Sequence, residues 1–178
     1  MSTATNARPT GQPIEVVHHT VDSPLGPLLL AATPTGLVRV AFALEDHDTV
    51  LVRLAETVSP RVVAAPGRLD EAARQFDAYF AGRGRALDVP LDMRLSRGFR
   101  RAVLDRLRAI PYGTTTTYTA IAGELGNPRA ARAVGTACAT NPLSVVVPCH
   151  RVVRADGVIG HYLGGTWAKH ALLDLEAT

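Results

Sequence analysis

The residues of this chain best suited to chemistry are a cysteine and a histidine that follow each other, Cys149 and His150. A cysteine attacks as its thiolate, and a free thiol with a pKa of about 8.5 is only a few per cent ionised at neutral pH, so a neighbouring base increases its reactivity. Residues 145–147 are three valines. We expect this apolar run to be a strand that ends at Pro148 and presents the thiol. Sequence adjacency alone does not make a catalytic pair, because most Cys-His pairs are a small buried residue beside a surface histidine.

Further motifs lie on both sides of this pair. They are, in chain order, Tyr118-Thr119-Ala120-Ile121-Ala122, Gly126-Asn127-Pro128-Arg129-Ala130-Ala131-Arg132-Ala133-Val134-Gly135, Asn141-Pro142, Gly160-His161-Tyr162-Leu163-Gly164-Gly165 and Leu172-Leu173-Asp174-Leu175-Glu176. Together with the Cys-His segment they resemble the O6-alkylguanine-DNA alkyltransferase family. The resemblance covers residues 99–176 in order, and several separate motifs match at once. The N-terminal half resembles the family weakly, mainly in its strand-rich start and at residues 79–82.

The resemblance implies transfer of an alkyl group from O6-alkylguanine in DNA to Cys149, which keeps it as a thioether and reacts once. It implies that Glu176, His150 and a bridging water form a relay that generates the thiolate. It also implies that Asn141 holds the cysteine loop, the segment between Asn141 and Cys149 that presents the thiol. Tyr118 would rotate the target nucleotide out of the duplex and donate its phenolic proton to the guanine ring. Without the resemblance, Glu176 would be interpreted as a solvated acid, Asn141 as a turn residue and Tyr118 as a packing residue.

A nearly bare helix carries the predicted DNA contacts. Alanine and glycine dominate residues 130–139, and small residues let a backbone approach a surface closely, although tight core packing is the commoner use of such a helix. The resemblance implies that this helix lies in the minor groove and that Arg132 fills the gap left by the extruded nucleotide. Arg129, Ala131 and Gly135 are expected to contact the DNA beside it.

The resemblance also implies a guanine pocket built from backbone groups near Val152 and Leu163, with Tyr162 and Gly160 beside them. In the family, carbonyl groups near Cys149 and Val152 accept from the exocyclic amine, and an N–H near Leu163 donates to the oxygen. Family members more often carry smaller or neutral polar residues at positions 161 and 163, so the preferred alkyl group stays open, as does activity on O4-alkylthymine. Arg151 is expected to support the loop and not to touch the substrate.

Three other functions fit parts of this pattern. A non-catalytic protein that binds alkyl lesions or DNA is the main alternative, although such a protein would lack the cysteine. A cysteine hydrolase would use Cys149 and His150 but has no need of a helix-turn-helix. A transcriptional regulator would read bases with long polar side chains, which the bare helix lacks.

Composition limits the class of protein. A chain of 178 residues with 47% apolar content can bury one core or two small ones, which excludes disorder throughout. Residues 91–178 hold eleven basic and six acidic side chains, an excess that favours contact with a polyanion. We expect the partner to be double-stranded DNA containing O6-alkylguanine, and the protein to be a monomer.

Cysteine content and hydropathy indicate the compartment. Two cysteines, Cys138 and Cys149, are too few for a disulfide scaffold and favour a reducing cytoplasm. No run approaches the roughly 18 apolar residues of a membrane span, and the start lacks the apolar core of a signal peptide. We expect no cofactor and no metal, because the N-terminal half has no cysteine and His18 and His19 are weak ligands by themselves.

The pattern predicts an α/β (α+β) fold in two parts. After a flexible arm at residues 1–12, residues 13–88 form a small domain with a three-stranded antiparallel sheet, two helices and a linker near the boundary. Its strands are expected at residues 16–21, 28–32 and 37–42, and its helices at residues 49–58 and 69–80. The helix at 69–80 would bury a stripe that ends in Phe80.

Residues 89–178 form a mostly helical domain that carries the active-site loop. Helices are expected at residues 99–110, 117–125, 129–139 and 167–176, and the second and third make the helix-turn-helix.

Overall fold

The computed structural model describes residues 11–178, so most of the predicted arm lies outside the described residues. A four-stranded sheet with the order β3-β2-β1-β4 occupies the first half. Strands β1 (Glu15–Val21), β2 (Leu28–Thr33) and β3 (Gly36–Phe42) form an antiparallel meander. Strand β4 (Arg61–Ala64) pairs with β1 in parallel.

The mixed fold class and the meander are confirmed, and β4 is an addition that the sequence pattern did not indicate. This strand has four residues, most of them exposed at the sheet edge. Such a segment is too short to show an alternating pattern, and its parallel pairing depends on the helix that precedes it.

Helices cover both faces of the sheet. Helix α1 (His47–Thr57) buries Val50 and Leu54 against a cluster on one face that includes Leu29 of β2. Helix α2 (Asp70–Phe80) packs on the other face, where Leu28 and Leu30 lie. Successive residues of a strand point to opposite faces, and both faces of this sheet are covered. Residues 28–32 of β2 are accordingly all apolar, and most of them are buried.

The second half is mostly helical, as predicted. Its elements are α3 (Gly98–Leu107), α4 (Tyr118–Glu124), α5 (Ala131–Ala139), α6 (Gly165–Glu176), and two short parallel strands, β5 (Thr116–Thr117) and β6 (Val152–Val153). Helix α4 packs against α5, in the arrangement expected of a helix-turn-helix pair. Thr117 caps α4, since its hydroxyl accepts from the amide of Ala120.

The helix predicted for residues 129–139 begins later, at Ala131, so Arg129 lies in the turn before it. The amide of Ala130 donates to the carbonyl of Asn127 over 2.9 Å and closes that turn. Pro128 fits a turn well because its φ angle is fixed and it offers no N–H.

One apolar cluster runs through both halves and contains residues of the sheet, of α2, of the helix-turn-helix and of the cysteine loop. The free edge of β3 pairs with the second half at two points. The amide of Leu37 donates to the carbonyl of Pro90 and that of Val40 to the carbonyl of Pro142, both over 2.8 Å. The bond to Pro142 fixes the start of the cysteine loop against the sheet. The division at residues 88 and 89 stays a prediction.

Candidate active site

The cysteine loop is a series of tight turns. The amide of Val147 donates to the carbonyl of Leu143 and that of Cys149 to the carbonyl of Val147, each over 2.8 Å. Cys149 then begins a short 3-10 turn that ends at Arg151. The strand predicted for residues 145–147 is therefore wrong. Val145 has a φ angle of 72°, in the left-handed region that β-branched residues avoid, so the run cannot continue as a strand.

Asn141 joins the two ends of this loop and contacts the thiol. Its side-chain nitrogen donates to the carbonyl of Val147 over 2.9 Å and to the sulfur of Cys149 over 3.2 Å. Its side-chain oxygen accepts from the amide of Leu143 over 2.9 Å. The side chain is fully buried, so each of these polar atoms depends on its partner in the loop.

Cys149 is itself only 2% exposed. Burial raises the pKa of its thiol, and the hydrogen bond from Asn141 and the positive charge of Lys169 offset that shift only in part. The resting group is therefore a neutral thiol, which must lose its proton to a base before or during attack.

The carboxylate of Glu176 lies at the centre of a buried network. It accepts from Nε2 of His150 over 2.8 Å, from the hydroxyl of Tyr79 over 2.6 Å, and from two nitrogens of Arg151 over 2.8 Å each. Burial alone would raise the pKa of Glu176, but the hydrogen bonds from His150 and Arg151 outweigh it and hold that pKa far below its usual range. Glu176 is therefore an anion that only accepts hydrogen bonds.

This anion determines which nitrogen of His150 carries the proton. Since Nε2 faces a carboxylate, it must donate, and Nδ1 is left as the basic nitrogen. Burial lowers the pKa of His150, so the ring is neutral at pH 7 even though Glu176 favours its charged form. Within residues 11–178, Nδ1 has no hydrogen-bond partner. His150 is thus poised to accept a proton.

Arg151 behaves as expected of a residue that supports the loop. Besides the two bonds to Glu176, its guanidinium donates to the carbonyl of Ile110 over 2.7 Å. Its side chain is 9% exposed.

Lys169 is a site residue that the sequence analysis missed. It is fully buried, and its amine donates to the carbonyl of Val152 over 2.7 Å and to the hydroxyl of Tyr118 over 3.4 Å. The sequence holds a signal that could have predicted its burial. Lys169, Leu172 and Glu176 are three and four positions apart on α6, so they lie on the same face of the helix, and the leucine marks that face as buried.

Tyr118 begins α4 and lies half-buried beside residues 160–164, which form the pocket loop. Burial raises its pKa to about 12, so the phenol stays protonated at neutral pH. A side chain at Gly160 would come within 2.7 Å of the Tyr118 hydroxyl, and one at Gly135 within 3.9 Å of its ring. Tyr118 therefore lies between the pocket loop and α5, the helix that carries Arg132.

The other predicted pocket residues lie at different depths. Val152 and Tyr162 are buried, and the Tyr162 ring lies edge-on to Phe42 with ring centres 5.4 Å apart. The Tyr162 hydroxyl has no hydrogen-bond partner within residues 11–178. Leu163 is half-buried and lines a cavity of about 590 Å³ between α1 and the start of the cysteine loop.

The predicted DNA contacts lie on the surface. Arg129 and Arg132 are exposed, and neither forms an ion pair with the described residues. Ala131 and Gly135 are partly exposed on the same helix. Across residues 11–178, every helix is too short or too polar to span a lipid bilayer.

Comparison with known proteins identifies this arrangement. Residues 16–93 match the model of the 6-O-methylguanine DNA methyltransferase ribonuclease-like domain, and residues 98–178 match that of its DNA binding domain. The methylated-DNA--protein-cysteine methyltransferase of Mycobacterium tuberculosis is 42% identical over 90% of this chain and 93% of its own.

Solved structures agree with the sequence comparison. The O6-methylguanine methyltransferase of Mycobacterium tuberculosis superposes with a TM-score of 0.80 at 40% identity, over 91% of this chain and 93% of that one. The structure of the same organism's OGT in complex with DNA gives a TM-score of 0.78 at 40% identity, over 90% and 92% of the two chains. The chain belongs to the 6-O-methylguanine DNA methyltransferase family.

Proposed function

We propose that this chain repairs duplex DNA by moving the alkyl group of O6-alkylguanine irreversibly to the sulfur of Cys149. Family membership establishes the coarser statement, that it is a DNA-binding repair enzyme of the methylated-DNA--protein-cysteine methyltransferase class. The acceptor residue, the handling of the base and the roles of the neighbouring side chains are the proposal.

The observation that carries the proposal is the pairing of a buried thiol with a neutral histidine. Asn141 contacts the sulfur of Cys149, and Glu176 holds His150 in the tautomer whose Nδ1 can accept a proton. The proton would pass from Cys149 to Nδ1, through a bridging water in the predicted relay. The imidazolium that forms is stabilised by the Glu176 carboxylate.

The reaction is a displacement at the alkyl carbon. The carbon–sulfur bond forms as the carbon–oxygen bond breaks, and the electron pair of that bond stays on the guanine. Tyr118 supplies the proton that the ring needs, since its pKa of about 12 keeps the phenol protonated. Lys169 stabilises the phenolate left behind, because its amine lies 3.4 Å from that oxygen. The thioether product has no leaving group that water could displace easily, so the protein is consumed.

The target base must leave the duplex because Cys149 is buried. Arg132 is exposed on α5, and Gly135 of the same helix lies beside Tyr118. A helix with small side chains can approach the minor groove closely, and a guanidinium inserted into the stack offsets part of the few kcal/mol that flipping costs. Arg129 and Ala131 flank this point and contact the backbone.

The pocket reads guanine mainly through backbone groups. The carbonyl of Val152 already accepts from Lys169 over 2.7 Å and has a second lone pair for the exocyclic amine. Gly160 leaves room for the Tyr118 hydroxyl, and Tyr162 and Leu163 complete the wall. The protein acts as a monomer in a reducing cytoplasm, where both thiols stay free.

Intact-mass measurement tests the proposal. The protein is incubated with duplex DNA that carries one O6-methylguanine, and we expect a single added methyl group that peptide mapping places on Cys149. Cys149→Ser should remain unmodified yet still bind the DNA. Cys138→Ser is the matched control, because Cys138 is also buried, and it should react normally. An unmodified wild-type protein, or a methyl group on another residue, contradicts the proposal.

A further inference from the structure

A second cavity lies behind the cysteine loop. None of the residues proposed for catalysis lines it, although Tyr79 and Arg151, which hold Glu176, do. Its volume is about 280 Å³, and it is lined by the segment 85–89, by the end of α3 and by the back of the loop at Pro148. A cavity of this size is small for a drug-sized ligand, which usually occupies about 300–1,000 Å³. It suits a single compact polar group.

Positive charge dominates the lining of this cavity. Three arginines, Arg85, Arg108 and Arg151, line it together with one acid, Asp88. Glu176 already neutralises Arg151. Neither Arg85 nor Arg108 forms an ion pair within residues 11–178. In the described part of the chain, two guanidinium groups therefore border one cavity without an ion pair, and Asp88 is the one acid among the lining residues.

The aromatic ring of Tyr112 contacts Arg85, one of these two arginines. The guanidinium carbons of Arg85 and Arg151 each lie 5.7 Å from the ring centre of Tyr112. The aromatic ring attracts each of these cations and so restrains Arg85 at the wall of the cavity. Tyr112 is fixed in turn, since its hydroxyl donates to the carbonyl of Leu175.

The segment 85–89 lines the same wall and carries five backbone amides. Its backbone amides have no acceptor among the described residues, and the segment belongs to no helix or strand. Consecutive free amides beside guanidinium groups are a common way for proteins to bind oxyanions.

We propose that this cavity binds a phosphate group, held by Arg85, Arg108 and the free amides of residues 85–89. A guanidinium fork matches two phosphate oxygens, and a charge-assisted bond of this kind is about twice as strong as a neutral one. The phosphate is either free or part of a DNA backbone, and none of the groups that hold it takes part in the proposed alkyl transfer.

Amide chemical shifts of the full chain test the site with inorganic phosphate as the probe, at constant ionic strength against chloride. We expect saturable shifts at residues 85–89. Arg108→Ala and Arg85→Ala should each weaken binding about tenfold, because each removes one positive charge that attracts the phosphate. Asp88→Asn should strengthen binding, because it removes a carboxylate that repels the phosphate. Arg83→Ala is the matched control, since Arg83 is exposed nearby but does not line the cavity.

Two results overturn the proposal. One is the absence of saturable shifts in the wild-type protein, and the other is equal binding by the wild type and the two arginine variants. Arg108 is exposed, and its side chain forms neither a hydrogen bond nor an ion pair with any residue in 11–178, so Arg108→Ala keeps the test usable if Arg85→Ala unfolds. Adding undamaged duplex DNA then identifies the source. If DNA displaces phosphate from residues 85–89, the group is a DNA phosphate, and if both bind together, it is a free phosphate.

Discussion

Replacing Glu176 with glutamine removes one charge and leaves the side chain almost unchanged in shape. In the wild type, this carboxylate accepts from Tyr79, His150 and Arg151 at distances of 2.6 to 2.8 Å. The substitution therefore leaves Arg151 as a buried cation without a counter-ion. It also offers His150 a neutral amide in place of an anion.

The loss of stability should be large. Breaking a buried ion pair from one side costs about 3–5 kcal/mol, because the remaining charge stays buried. For a chain of 178 residues, about 1 kcal/mol corresponds to roughly 2–4 °C in melting temperature. We expect the melting temperature of Glu176→Gln to fall by roughly 6–20 °C.

The rate of alkyl transfer should fall for a different reason, and the free-energy cost behind it should be smaller than the loss of folding stability. A hydrogen bond to a charged partner contributes about 1.5–3 kcal/mol, and a neutral one about 0.5–1.5 kcal/mol. The imidazolium formed at His150 therefore loses on the order of 1–2 kcal/mol of stabilisation, which slows transfer by about 5–30-fold. Single-turnover assays below the melting temperature should show this slower phase with an unchanged end point of one alkyl group per protein.

A second variant separates the two effects. Arg151→Met combined with Glu176→Gln removes the uncompensated cation, so it should recover part of the stability but not the rate. If the double variant recovers both, or if Glu176→Gln reacts at the wild-type rate, then Glu176 supports only the fold and the proposed relay is wrong.

Three further predictions concern neighbouring groups. Arg132→Ala should slow repair of duplex DNA far more than reaction with free O6-benzylguanine, which needs no flipping. Arg129→Ala removes a contact to the DNA backbone and not the inserted guanidinium, so it should slow duplex repair less. Equal losses of Arg132→Ala on both substrates would give Arg132 a structural role. Burial lowers the folded pKa of His150 below its unfolded value of about 6.5. Titration of His150 should therefore leave the free energy of unfolding unchanged above pH about 6.5. Below about pH 6.5 that free energy should decrease, by up to about 1.4 kcal/mol per pH unit. Denaturant titrations of His150→Gln should show a weaker dependence on pH. Lys169→Met removes the cation that partly offsets the burial of Cys149, so the rate of transfer should need a higher pH to reach its plateau, and an unshifted pH profile would exclude this role.

Periodicity predicted most of the fold because it reports burial on one face of an element. The meander and the helices over residues 49–58 and 69–80 follow this rule and lie within two residues of the observed elements. The apolar pattern gave a wrong prediction for residues 145–147, because a short apolar run is compatible both with a buried strand and with buried turns. Their conformation depends on the hydrogen bonds that Asn141 makes with Leu143 and Val147. The strand propensity of three valines contains no information about these bonds.

Helix α2 shows why the site network could not be completed from the sequence. The predicted stripe ended in Phe80, but the structure buries Tyr79 more deeply. A tyrosine is buried at low cost only where its hydroxyl finds a partner, and here that partner is Glu176, 97 residues away. Whether position 79 faces inward thus depends on how α2 and α6 pack, so a pattern local to α2 cannot decide it. The motif residues were predictable from the resemblance, whereas the groups that set their charges depend on contacts formed only in the folded chain.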